Sequence, residues 1–207
     1  STLTDMAKLQ RLLNEYEIIT SLHHPNIIET YGFCFGDSVN PPSILLQFCP
    51  NSLQRIVCNL TEIEKVCLIY EVSLGMEAIH KAGLIHRDLK PANILIDNHK
   101  HVRLSDFGIS RVESVGSQTD SMTSGVGTIK FMAPELLNES RHYTNKVDVY
   151  SFGVVVFFVL TGEMPKISIG EQSIGKKAPI PKKINKISRN LITRCWSTNP
   201  DERPSFT

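Results

Sequence analysis

The sequence predicts an α+β fold in two unequal pieces. A thin first piece (residues 1–48) holds one helix and two strands, and a larger, mostly helical piece (residues 49–207) follows it. Three observations predict this. An apolar rhythm of helical period occupies residues 3–22. Two strand-like runs flank a loop rich in Asp, Asn and Pro at 37–42. Beyond Pro50 the helical period returns and dominates.

In residues 3–22, Leu9, Leu12, Leu13, Tyr16 and Ile19 recur at helical spacing, with Lys8, Arg11, Asn14 and Glu15 between them. His24-Pro25-Asn26 breaks the helix. Ile27 to Phe35 then reads as a strand, Asp37 to Pro42 as a loop and Ser43 to Phe48 as a second strand. Past Pro50, Thr61-Glu62-Ile63-Glu64 is a capping box, with Thr61 as N-cap and Glu64 reaching back. Ile63, Val66, Cys67, Tyr70 and Leu74 form one apolar stripe on the helix it opens, which runs to about Lys81 and stops at Gly83. Ile94–Ile96 and Val102–Leu104 are short strands, and residues 109–129 a long polar loop of the kind that usually carries function. Helices around 146–161 and 185–197 close the chain.

Composition removes several classes. Lys and Arg number 22 against 21 Asp and Glu, a net charge of +1, with 41% hydrophobic residues and 23 Gly plus Pro in 207. That is ordinary globular usage, not collagen-like, low-complexity or disordered. The balanced charge gives no bulk attraction for nucleic acid or an anionic membrane, so neither is expected as a partner, although a local patch stays open. The opening STLTDMAKLQ is no signal peptide. The longest apolar run, Phe152 to Leu160, falls well short of the roughly 20 residues that span a bilayer. A cytoplasmic location is therefore expected, either alone or as the cytoplasmic part of a larger, membrane-anchored protein. The five scattered cysteines contain no C-x-x-C, which argues for free thiols rather than a zinc site or disulfide framework.

The chemistry-bearing stretch is His86-Arg87-Asp88-Leu89-Lys90-Pro91-Ala92-Asn93, followed by Asp106-Phe107-Gly108 and Ala133-Pro134-Glu135. This ordered set resembles the protein kinase family. The resemblance runs from about Lys8 to Phe206 and implies a two-lobed kinase-like fold: a mostly helical C-lobe and a partial N-lobe made of the family's αC helix and two strands. It further implies transfer of the ATP γ-phosphoryl to a protein Ser or Thr hydroxyl, with Mg²⁺. Phosphoryl transfer asks for in-line positioning and stabilisation of spread negative charge. By the resemblance, Asp88 accepts the substrate hydroxyl proton and Lys90 stabilises the transferring phosphoryl. Asn93 and Asp106 offer the hard oxygen ligands that suit Mg²⁺.

The same resemblance assigns supporting places. Leu95 lies beneath the adenine ring, Leu46 is the gatekeeper, and the Gln47 carbonyl and Cys49 backbone bond adenine. His86, Phe107 and Ile19 match a stacked regulatory spine whose strand member is Thr30, where an apolar residue is usual. Glu15 matches the helix glutamate that pairs with an ATP-positioning lysine, with Glu17 as the competing assignment. Asp148 matches a buried anchor of the catalytic loop, and Glu135 and Arg203 an ion pair clamping the activation segment. Lys90-Pro91 and Thr128 favour Ser/Thr specificity. The ending Cys195-Trp196 through Arg203-Pro204 resembles the tyrosine-kinase-like and tyrosine kinase groups, so a tyrosine-kinase-like Ser/Thr kinase is expected. Arg87 before Asp88 matches kinases switched by loop phosphorylation. Ser110, Ser114, Ser117, Thr119, Ser121, Thr123 and Ser124 are acceptors for an upstream kinase or for autophosphorylation.

Two family parts are absent before Asp88: a Gly-rich loop and an Ala-x-Lys strand. Either the stretch belongs to a longer kinase chain, or it is a pseudokinase-like regulatory or scaffold module. The intact Asp88, Lys90, Asn93 and Asp106 favour the first. The 207 residues by themselves are expected to show little or no activity.

Overall fold

A computed structural model describes residues 2–37, 39–107, 111–112, 129–138, 140 and 143–206. The first helix, α1 (Thr2–Ser21), lies against a two-stranded antiparallel sheet of β1 (Thr30–Cys34) and β2 (Ser43–Leu46). Tyr16 meets Phe33 edge-on at 5.4 Å, and Ile19 is buried. The loop between the strands is closed by Asp37, whose carboxylate accepts the backbone N–H groups of Val39 (2.7 Å) and Asn40 (2.8 Å). Both strands are shorter than the apolar runs predict. Ile27 and Ile28 are buried but pair elsewhere: Ile28 N–H donates to Leu104 O at 2.9 Å and Leu104 N–H to Asn26 O at 2.8 Å. The run that reads as one strand is thus split, and its first part fastens the thin piece to the larger one.

The larger piece opens with β3 (Asn51–Ser52), antiparallel to β5 (Ile94–Ile96), which pairs in turn with β6 (Val102–Leu104). Between them lie α2 (Leu53–Ile56), α3 (Glu62–Lys81) and β4 (Leu84–Ile85). The Thr61 capping box forms as the sequence predicts: Glu64 N–H donates to Thr61 Oγ1 at 3.3 Å and Thr61 N–H to Glu64 Oε2 at 2.9 Å. The apolar stripe does not fall as expected. Ile63, Val66, Cys67 and Tyr70 face outward, and the buried face is Leu68, Val72, Gly75, Met76 and Ile79. Both rows have helical spacing, so period alone cannot choose between them. Gly75 decides it, because a Cβ there would stand 2.7 Å from Leu104 Cδ1, and its absence lets the helix close on β6.

Arg111 and Val112, inside the predicted loop, form β7 and pair with β4. The rest is helical: α4 (Pro134–Leu137), α5 (Lys146–Thr161), α6 (Ile169–Ser173) and α7 (Lys186–Cys195). Helix α5 is buried from Val147 to Phe157 and largely apolar around its whole circumference, Asp148 and Ser151 being the polar exceptions, as suits a central core helix. Among the described residues no helix is long and apolar enough to cross a membrane.

Candidate active site

The site grows from one buried carboxylate. Asp148 sits in the first turn of α5, fully enclosed. A charge without water needs donors, and three are supplied. His86 N–H donates to Oδ2 at 2.9 Å, Arg87 N–H to Oδ1 at 2.8 Å, and His80 Nε2 lies 2.9 Å from Oδ2. These contacts fix the backbone just after β4. Arg87 adopts φ 69°, a left-handed conformation that an arginine takes only when its surroundings hold it there. Its guanidinium lies over the Tyr143 ring, 5.4 Å from the centroid.

One residue on, the chain presents Asp88, itself buried. Its Oδ2 accepts Lys90 Nζ at 2.5 Å and Asn93 Nδ2 at 2.9 Å. Oδ1 is enclosed and accepts no hydrogen bond among the described residues. Asn93 also donates to the Asp88 carbonyl at 3.0 Å, so its amide oxygen is the atom left for other ligands. Ser105 N–H and Oγ both reach the Asn93 carbonyl at 3.0 Å, which places the next residue, Asp106, beside the Asn93 segment. Asp106 is exposed and, like Arg87, left-handed, at φ 68°. Phe107 turns inward and packs on His86 with centroids 5.2 Å apart.

Glu15 of α1 reaches the same place. Burial raises its carboxyl pKa, the Asp106 charge raises it further, and a hydrogen bond from the Phe107 backbone pulls it down. Glu17 is exposed. Of the two glutamates, Glu15 is the one brought to Asp106 and Phe107.

The remaining expected residues surround this cluster. Leu95 stands on β5, opposite Ser52 on β3. Cys49 is half-buried, with burial raising its thiol pKa. Gln47 donates its N–H to Glu29 O at 2.8 Å, and its side-chain Oε1 is buried without a partner among the described residues. Thr30, the expected spine member, turns its hydroxyl to Leu45 O at 3.2 Å. Arg203 and Glu135 form a two-pronged pair at 2.6 and 2.8 Å, and the buried Arg203 also donates to the Ser197 and Lys146 carbonyls. Thr128, Gly108 and the loop acceptors Ser110 to Ser124 lie outside the described residues.

Among the described residues no three His, Cys, Asp or Glu side chains gather as a metal cage. Asn93 and Asp106 offer one amide oxygen and one carboxylate, the sparse hard-oxygen set that Mg²⁺ accepts when substrate phosphates and water complete its shell. The donor chemistry fits that ion.

Sequence reasoning missed His80, Ser105 and Asp97. Asp97 accepts His99 N–H (2.8 Å), His101 N–H (2.9 Å) and Arg103 Nη2 (2.9 Å), closing the β5–β6 turn. An Asp-Asn pair after a strand signals such a turn. For His80 the sole signal is a basic residue in the last turn of a helix.

Comparison with known proteins gives the family. The profile of the protein kinase domain matches residues 2–207. The chain is similar to the serine/threonine/tyrosine-protein kinase HT1 of Arabidopsis thaliana, 35% identical over 97% of this chain and 54% of that protein. It is also similar to the dual specificity protein kinase pyk3 of Dictyostelium discoideum (35%, over 96% of this chain and 15% of that one). A third relative, the serine/threonine-protein kinase STY46 of Arabidopsis thaliana, is 32% identical over 93% of this chain and 35% of its own. The chain thus spans between 15 and 54% of the length of these curated relatives.

Proposed function

The chain belongs to the protein kinase family, and from that premise we propose that it serves a Ser/Thr kinase domain that moves the γ-phosphoryl of ATP to a protein hydroxyl. The observation that carries the reading is the asymmetric environment of Asp88. Lys90 and Asn93 hold Oδ2, while Oδ1 is buried and unclaimed among the described residues. A carboxylate so held has one oxygen oriented to take the proton of a substrate hydroxyl. Lys90 Nζ sits at that oxygen's partner, close enough to share its charge between Asp88 and a transferring phosphoryl.

Protein kinases draw on ATP and Mg²⁺. Here Asn93 and Asp106 would hold the ion, which would supply positive charge to offset that of the nucleotide phosphates. The left-handed Asp106 and the buried Phe107 keep that carboxylate facing out of the core, and Glu15 approaches it from α1. Leu95, Gln47 and Cys49 would line the adenine side. Ser/Thr preference is supported by Lys90-Pro91 and by relatives named for Ser/Thr activity, one of them also for tyrosine.

The test is Asp88→Asn in the full-length protein, followed by radiolabelled phosphate transfer to a Ser/Thr peptide. Losing a positioned general base costs about 10²–10⁴-fold in rate. Transfer that persists unchanged would overturn the assignment. Nucleotide binding without transfer by the wild type would favour a regulatory module.

A further inference from the structure

We infer that the basic stretch 172–200, together with the groove at the C-terminal end of α5, docks an acidic segment of a partner protein that carries one apolar anchor. The balanced charge of the chain hides a strong asymmetry. Residues 172–200 hold seven Lys and Arg and no Asp or Glu, while the other 178 residues hold 15 basic and 21 acidic ones.

The cations of this stretch divide by task. Arg189 is used internally, its Nη2 donating to the carbonyls of Pro181 (3.3 Å), Lys182 (2.9 Å) and Ile184 (3.1 Å). That clasp folds the 181–184 turn and leaves Lys182 and Lys183 exposed. Lys176 is answered by Glu171 at 3.1 Å. Lys177, Lys182, Lys183 and Lys186 are exposed and meet no acidic partner among the described residues. Lys186 also opens α7, whose first turn has no acidic residue, so the positive end of the helix adds to the lysines. Like charges this close repel one another, and an anionic partner removes that cost.

Beside them lies a groove of about 220 Å³. Phe157, Met164, Pro179 and Pro181 give it an apolar lining, with Lys183 and Lys166 at its edge. Glu163 also lines it but is bound by Lys166 at 3.1 Å, so its charge is met within the protein. The groove is below the roughly 300–1,000 Å³ of small-molecule sites and suits a single inserted side chain. Ile187, 85% exposed beside Lys186, adds apolar surface among the cations.

The shape selects the partner class. A lipid surface does not fill a concavity, and single-stranded nucleic acid stacks on exposed aromatic rings. The sole aromatic residue of the stretch, Trp196, is buried against Phe157. A peptide with acidic residues around a leucine-like side chain satisfies both lysines and groove.

The experiment uses the full-length protein and a short fluorescein-labelled peptide of glutamates around one central leucine, read by anisotropy at two salt concentrations. Controls replace the glutamates by glutamine, or the leucine by alanine. The expected result is binding about tenfold tighter than either control, weakened by salt, and a loss of about tenfold in the Lys182→Glu, Lys183→Glu double variant. Lys183→Gln, milder in charge, is measured alongside it, with thermal melts to verify folding. Equal binding of the three peptides, or lysine variants that bind like the wild type, would overturn the proposal. So would tighter, lysine-dependent binding to phosphatidylserine vesicles or to a single-stranded oligonucleotide.

Discussion

At Asp148 three hydrogen bonds convert a burial cost into a fixed loop. Without the carboxylate, the His86 and Arg87 N–H groups stay enclosed and unpaired, each at about 1–3 kcal/mol. Asp148→Ala should therefore destabilise the protein by about 2–5 kcal/mol, which for a domain of this size lowers the melting temperature by several degrees. On the role proposed for Asp88 the rate should suffer as well, because Asp88 is two residues from the anchored His86 and a small displacement of a catalytic group can cost about 10²-fold. Asp148→Asn keeps one oxygen acceptor but sets an amide N–H₂ against a donor, so its loss should be intermediate. Melting curves and initial phosphorylation rates of both variants check this order. An Asn variant as damaged as the Ala variant would show that charge, and not the pair of backbone bonds, holds the loop.

At the scale of elements, two glycines make opposite predictions. Gly153 lies mid-way along α5 where α7 crosses it, and an added Cβ would stand 2.7 Å from Cys195 Cβ and 2.8 Å from Trp196 Cδ1. Alanine favours a helix by about 1 kcal/mol over glycine, but overpacking a tight core costs about 1–3 kcal/mol. Both neighbours are themselves buried, so the clash should win and Gly153→Ala should melt lower. Gly170, in α6, meets nothing within 4 Å, and Gly170→Ala should leave the midpoint unchanged or raise it. Denaturant titration of the two variants decides. The same packing explains what the sequence could and could not reveal. The long helices α1, α3, α5 and α7, with β5, β6 and the α3 capping box, were legible because periodicity and capping chemistry are local, whereas the short α2, α4 and α6 carry too few turns to show a period. The buried face of α3 was not, since Ile63-Val66-Cys67-Tyr70 and Leu68-Val72-Met76-Ile79 are equally periodic, and contact with β6 chose between them. The pairing of Ile28 with Leu104 and of Leu84 with Val112 joins distant residues and leaves no local sign. In the site, Asp88, Lys90, Asn93 and Asp106 were singled out through the resemblance of their motifs, and the fold gathers Asp88, Lys90 and Asn93, whereas His80 meets Asp148 from 68 residues away.

Across the whole molecule, the core contains ionisable groups that must stay neutral. Burial drives the Cys195 thiol from 9.0 up to about 12, and the Tyr150 hydroxyl from 10.0 up to about 12. For Tyr150 the neighbouring Arg203 pulls the other way without reversing the shift. In each case the unfolded chain releases its proton first. Over pH 9–12 for Cys195 and 10–12 for Tyr150, the unfolded state thus binds fewer protons than the native one. By linkage, stability must then fall as pH rises, by up to about 1.4 kcal/mol per pH unit for each group. Well below pH 9 neither group contributes an appreciable slope. Exposed lysines and tyrosines also titrate at alkaline pH, so the test is a difference between variants. Cys195→Ala should lose some packing energy at every pH, yet its curve of unfolding free energy should run flatter than the wild type's just above pH 9. Tyr150→Phe, which keeps the ring under Arg203, should flatten the curve only beyond pH 10. Parallel curves for the wild type and both variants would show that neither group is held neutral by the core. The thiols give an independent readout. Cys34, Cys58 and Cys67 are exposed and should react with a thiol reagent in the native protein, while Cys195 should react only after unfolding.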